Sequence, residues 1–196
     1  NVTIASLTVN SVTDARRFVL NYSENSDLVF SWSEDGRLRL NADNTSNFKT
    51  LEALKNYIIR SGYKRSTVIL RGDIYFLDNW DLTGFDKIVK FVGDNATLIM
   101  NGFSINIDSN IEFENVTFNY TAFGSFASND IITTGNGCIY SAPELNKENI
   151  KIKDCVFNCS GTTQRHPFIN LEIQRGGTLN NIKILNNKFN DVPASE

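Results

Sequence analysis

The sequence predicts an all-β chain, a parallel β-helix with one N-terminal capping α-helix, preceded by a small β-module. Three observations carry that expectation: a ten-residue pattern that recurs three times, a large excess of Asn, and strands spaced too closely for helical crossovers. The chain has 196 residues and is 41% hydrophobic, enough for a core and too much for wholesale disorder. It holds 26 Asn but three Pro and a single Met. Asn concentrates where chains turn, because it tolerates left-handed backbone and hydrogen-bonds locally, so many short strands and many turns are expected.

The repeats are Asn110-Ile-Glu-Phe-Glu-Asn-Val-Thr-Phe-Asn119, Asn149-Ile-Lys-Ile-Lys-Asp-Cys-Val-Phe-Asn158 and Asn181-Ile-Lys-Ile-Leu-Asn-Asn-Lys-Phe-Asn190. Offsets of 39 and 32 residues separate them, the scale of stacked repeats. Alternation places Ile111 and Phe113, Ile150 and Ile152, and Ile182 and Ile184 on one face. Asn115, Asp154 and Asn186 should break the strand at equivalent corners, after which Phe118, Phe157 and Phe189 return to the apolar side. Upstream, Val68–Leu70, Ile88–Val92, Thr97–Met100 and Ser104–Ile107 read as short strands between Gly- or Asn-containing turns.

One helix is expected over Phe48–Arg60, where Phe48, Leu51, Leu54 and Ile58 recur at helical spacing. Asn47 or Thr50 can cap its start, and Gly62 suits its stop. Laid on the first coil, it would cover an apolar end. Residues 1–44 form the separate β-module, with strands at Val2–Ile4, Leu7–Val9, Phe18–Leu20, Leu28–Trp32 and Leu38–Leu40. Asp35-Gly36 signals a hairpin between the last two. So small a module needs disulfides, metal or self-association to fold, and only self-association suits this sequence. Residues 45–196 form the capped β-helix, expected to be truncated at its C-terminal end. No second capping helix follows Phe189, so the last coil's edge should be open, to be covered by more chain or by a partner.

The runs Phe48–Ile58, Thr67–Phe76 and Phe91-Val-Gly-Asp-Asn-Ala-Thr97 resemble the entry of pectate-lyase-like right-handed β-helices. In that superfamily a capping helix precedes a strand, a Gly-containing turn with an aromatic, and a Gly-Asp-Asn/Gly-Ala-Thr-Leu coil. The resemblance spans about residues 48–190. It implies a right-handed helix but little about function, since the superfamily includes lyases, hydrolases, adhesins and phage tailspikes. A β-module ahead of a capped β-helix is also similar to bacteriophage tail fibres and tailspikes. That similarity implies a homotrimer in a virion tail appendage, or otherwise an extracellular protein, associating with other tail proteins and with host surface glycan.

The chemistry-bearing residues are few. A net charge of −3 argues against nucleic acid, and no apolar run suits a membrane span. No signal peptide, metal cluster or cofactor motif is apparent. Glu112, Glu114, Lys151, Lys153, Asp154 and Lys183 look like a catalytic cluster, but in the repeat register Glu112, Lys151 and Lys183 are equivalent positions. Opposite charges stacked on a solvent face are the simpler reading. Gln164-Arg-His-Pro167, with Glu172 and Arg175, lies on a long excursion between the second and third coils. There Arg165, His166 and Glu172 are the candidates for catalysis, against the plainer reading of ordinary loop residues. Gly124–Tyr140 forms another excursion. Phe123, Phe126 and Tyr140, together with Arg165 and Arg175, are the candidates for ligand contact; the aromatics either stack on sugar rings or tuck against the coil. Arg71-Gly72-Asp73 is read as a turn after the first β-helix strand. Cys138, Cys155 and Cys159 are expected reduced. Seven Asn-x-Ser/Thr sequons in so Asn-rich a chain prove no secretion. The leading expectation is a non-catalytic structural or receptor-binding segment that attaches to polysaccharide. The alternatives are a polysaccharide depolymerase on the same fold and a secreted bacterial adhesin.

Overall fold

In the structure, a computed structural model, the recurring apolar alternation lays successive strands side by side in parallel. It describes residues 28–32, 38–40, 47–48, 51–60, 65–76, 78–122, 137–161 and 168–192. The expected strands Val2–Ile4, Leu7–Val9 and Phe18–Leu20, and Asp35-Gly36, Thr50 and Gly62, lie outside these residues. The elements are β1 (Leu28–Trp32), β2 (Leu38–Leu40), β3 (Asn47–Phe48), α1 (Leu51–Arg60), β4 (Arg65–Tyr75), β5 (Trp80–Leu82), β6 (Ile88–Ile99) and β7 (Ile105–Ile107). They continue with β8 (Ile111–Glu114), β9 (Thr117–Ala122), β10 (Ile139–Lys153), β11 (Val156–Gly161), β12 (Ile169–Leu185) and β13 (Lys188–Val192). The described chain is thus mostly β, one hydrogen-bonded sheet whose strands are chiefly parallel, with one short helix.

The parallel pairs fall into three rows. The first joins β4, β6, β8, β10 and β12, with Val89, Ile111, Ile150 and Ile182 in one column. The second joins the far end of β6 to β9, β11 and β13, with Leu98, Phe118, Phe157 and Phe189 in one column. The third joins β5, β7 and the leading ends of β10 and β12, with Trp80, Ile105, Ile139 and Ile169 in line. The three repeats therefore stack residue on residue, as their gapless alignment predicts. Asn115, Asp154 and Asn186 sit at the corners between the first two rows with φ of 57°, 52° and 53°. Asn110, Asn149 and Asn181 open the repeats with φ of 61°, 55° and 55°. Left-handed backbone disfavours most L-residues, and Asn and Asp are among the few that visit it routinely, which accounts for Asn at both positions.

The inward columns share one apolar cluster. Phe91 stacks on Phe113 at 5.3 Å between ring centroids, and Phe118 on Phe157 at 4.6 Å. Phe113 meets Phe118 edge-on at 5.5 Å, tying the first row to the second. Each fully buried Phe stabilises the fold by ~1.5–3 kcal/mol. Helix α1 adds Leu54, Tyr57 and Ile58 to the same cluster.

Several expectations are corrected. The helix begins at Leu51 rather than Phe48, because Phe48 pairs with Leu38 as part of β3. β1 and β2 do form an antiparallel pair, with Trp32 opposite Leu38, and β1 also pairs in parallel with β4. Arg71-Gly72-Asp73 is no terminal turn: it lies within β4, where Gly72 takes φ 69° at a bulge. Pairing resumes beyond it because Asn95, at φ 56°, is the extra residue on β6. Two predicted strands, Ile88–Val92 and Thr97–Met100, are thus joined in β6. The excursions are shorter than expected too. Tyr140 lies in β10, and Glu172 and Arg175 lie in β12. Ile169, Leu171 and Ile173 alternate with polar residues, and parallel pairing of Ile169 with Ile139 uses that alternation.

Candidate functional site

Outward positions of the first row carry the charges. Lys90, Glu112, Lys151 and Lys183 occupy one column, and Glu114 pairs with Lys153 in the next but one. Lys90 Nζ lies 2.6 Å from Glu114 Oε2, and Arg65 Nη2 lies 3.1 Å from Glu112 Oε1. Lys153 reaches Asp154 at 2.8 Å. The hydrogen bond from Lys90 holds the Glu114 carboxyl below the usual carboxylate range, and that from Lys153 does the same for Asp154. A glycosidase acid requires the opposite, a carboxyl kept protonated by an apolar surrounding. Glu112 and Glu114 are electrostatic struts between strands of the row, and Asp154 pairs with its sequence neighbour Lys153 at the corner.

Two asparagine columns also run along the strands. Asn149 Nδ2 donates to Asn110 Oδ1 and Asn181 Nδ2 to Asn149 Oδ1, each at 2.9 Å. On the second row Asn158 donates to Asn119 at 2.8 Å and Asn190 to Asn158 at 2.7 Å. Asn110 closes the first column onto the Phe85 carbonyl at 2.7 Å. Each amide both gives and accepts, so a column of identical residues satisfies itself, and only identical register permits it. The sequence reading treated these Asn as turn formers. Their recurrence at the first and last positions of every repeat was the signal for the columns.

The third row presents the surface best suited to a ligand. Asp81, Asn106, Tyr140 and Asn170 face outward on four neighbouring strands in consecutive register. Their apolar neighbours Ile105, Ile107 and Ile139 point into the core with 1% exposure or less. Glu172 follows on the same face of β12 and accepts a hydrogen bond from Asn170 Nδ2 at 3.0 Å. Burial pushes the Asp81 carboxyl up, but hydrogen bonds from Thr83 and Lys55 outweigh it and hold the carboxyl below its usual range. The result is a line of amides and carboxylates around one partly exposed phenol ring, on a sheet backed by the core.

Of the predicted site residues, Tyr140 and Glu172 are brought together on this face. Arg175 is exposed farther along β12, before the turn at Gly176. Phe123, Phe126, Arg165 and His166 lie outside the described residues. Burial pushes Cys138 well above the ordinary thiol range and Cys155 up to about 11. None of the three Cys is in a disulfide, and Cys138 Sγ packs 3.1 Å from Met100 Sδ. Among the described residues, no group of three or more His, Cys, Asp or Glu is placed to hold a metal ion.

Comparisons of the chain with protein-family models, with curated proteins and with solved structures find no match.

Proposed function

We propose that the three rows close into a right-handed parallel β-helix of the pectate-lyase-like kind. On this reading the chain is a structural or receptor-binding segment of a phage tail fibre or tailspike, a homotrimer that attaches to host cell-surface polysaccharide. The rows themselves support the β-helix: β10 and β12 each span two of them, and their parallel strands pair at sequence offsets of 20 to 39 residues. Attachment rests on one observation, the outward line Asp81, Asn106, Tyr140, Asn170 and Glu172. An aromatic face beside amides and ionised carboxylates suits the alternating apolar and hydroxyl faces of sugars. A rigid sheet holds these groups without an ordering cost on binding. The ion-paired acids of the first row favour holding the polymer over cutting it.

Incubation with purified capsule or lipopolysaccharide tests the reading. The chain is expected to retain polysaccharide without releasing oligosaccharides, and Tyr140→Ala is expected to lower retention about tenfold with an unchanged melting temperature. Release of oligosaccharides would place the protein among the depolymerases instead. Light scattering at micromolar concentration addresses the trimer: a clean monomer removes that part of the proposal.

A further inference from the structure

Lys147 is the one Lys, Arg, Asp or Glu among the described residues that is fully buried, at 0% exposure. Lys is almost never placed so deep unless its N–H groups are taken up. Here Nζ donates to Ser141 Oγ at 2.6 Å and to the Ala142 carbonyl at 2.5 Å, and the half-exposed Glu144 brings Oε2 to 3.9 Å. Ser141 is itself fully buried. These bonds run back along β10 across its most irregular stretch, where the register with β12 shifts on both sides of Glu144. Lys147 therefore closes the bend by which β10 passes from the third row to the first. The next coil makes the same passage without such a pair. There Leu171 stands in register with Ser141 and Leu179 with Lys147. Apolar side chains thus serve at these two positions when packing is the whole requirement.

What the polar pair adds is a fixed strand end. Tyr140 is the last residue of β10 that pairs with β7, and pairing with β12 loses register just after Ser141. Strand ends fray, and an aromatic ring at such an end is loosely aimed. The two acceptors of Lys147 belong to the two residues that follow Tyr140. We propose that Lys147 is a positioning residue for the third-row face, tying down the strand end that presents Tyr140 between Asn106 and Asn170. This rests on the reading of that face as a polysaccharide-binding surface. A Tyr140 held in place beforehand spares the ligand the cost of ordering a loose strand end, and preorganised sites gain affinity that way. Lys147 itself, fully buried, acts only through the residues it holds.

The double variant Ser141→Leu with Lys147→Leu tests the proposal, since it copies the pair of the next coil and leaves neither side chain with an unpaired polar group. In hydrogen exchange of the whole chain it is expected to speed exchange roughly tenfold at 139–142 and to leave 111–114 unchanged. Polysaccharide retention is expected to fall about tenfold, to the level of Tyr140→Ala. Unchanged exchange at 139–142 overturns the proposal, as does retention equal to the parent's. An equal rise at 111–114, or a double variant that does not fold, makes Lys147 a support of the whole stack and overturns it too. A parent chain that retains no polysaccharide sinks the attachment reading instead. Exchange, read without ligand, then still decides whether Lys147 holds the strand end.

Discussion

Residues 149–158 and 181–190 share one pattern, one backbone path and one register, yet they sit in different environments. The middle repeat has a parallel neighbour on both sides, and Ile150, Ile152 and Phe157 are fully buried. Among the described residues the last has a neighbour on one side only, and Ile184 and Phe189 stand 46% and 47% exposed. Pattern alone therefore assigns direction, inward or outward, while stacking supplies burial. In a stacked array stability is roughly a sum of repeat and nearest-neighbour terms, so the same substitution should cost different amounts in the two places.

The largest contrast is expected at the Phe column. Phe157→Ala removes a ring stacked on both Phe118 and Phe189 and should cost ~3–5 kcal/mol in thermal unfolding. Phe189→Ala should cost about 1–1.5 kcal/mol, since only part of that ring leaves water. Equal losses would break the nearest-neighbour account.

The close approach of backbones gives the next contrast. A Cβ at Gly93 would lie 2.0 Å from the Asn115 carbonyl oxygen, and one at Gly177 would lie 2.1 Å from the Leu145 oxygen. Gly93→Ala, between strands held on both sides, should cost ~3 kcal/mol in denaturant unfolding. Gly177→Ala, on β12, which has a partner on one side only among the described residues, should cost about 1 kcal/mol.

The asparagine columns sharpen the comparison through paired variants. Asn149→Ala loses two amide hydrogen bonds and forces Ala into left-handed backbone, for about 2–4 kcal/mol. Asn149→Gly keeps the backbone relaxed and should cost about 1–2 kcal/mol less than Ala. Asn181→Ala, with one hydrogen bond to lose, should cost less than Asn149→Ala in the same melts.

Much of this arrangement was legible beforehand. The repeat register, the corner residues and the stacked Phe column follow from a ten-residue pattern with gapless alignment, because period-2 alternation and Asx corners are local properties. The charge struts were legible for the same reason. Less local features were missed. Phe48 reads as helix by spacing, but its backbone joins β2. The bulge at Arg71-Gly72 reads as a turn because a Gly at positive φ looks alike in both until its partner strand is known. Glu172 and Arg175 read as loop because the ten-residue pattern resumes only at Asn181, though Ile169, Leu171 and Ile173 already alternate. Tyr140 and Glu172 were proposed as separate candidates; only the pairing of β10 with β12 puts them on one face.

The smallest expected effect concerns pH. The folded Glu114 carboxyl is held low, so the unfolded chain binds its proton more tightly. Its stabilisation is present above the unfolded value of about 4.3 and is lost as pH falls through the lower folded value. Glu114→Gln should cost about 0.2–1 kcal/mol at pH 7 and flatten the acid limb of the stability curve. A variant as acid-sensitive as the parent would remove Glu114 from that account.

The central claim is that three repeats, each two strands joined at a corner, stack residue on residue in a single register, with the middle one enclosed. Nuclear Overhauser contacts between selectively labelled phenylalanine rings test this most directly. Phe157 should show ring contacts to both Phe118 and Phe189, at the 4.6 Å and 5.1 Å separations of the stacked column. Phe118 and Phe189 should show none to each other, being two strand spacings, roughly 9.5 Å, apart. Direct Phe118–Phe189 contacts, or a Phe157 ring that touches neither, would contradict the account.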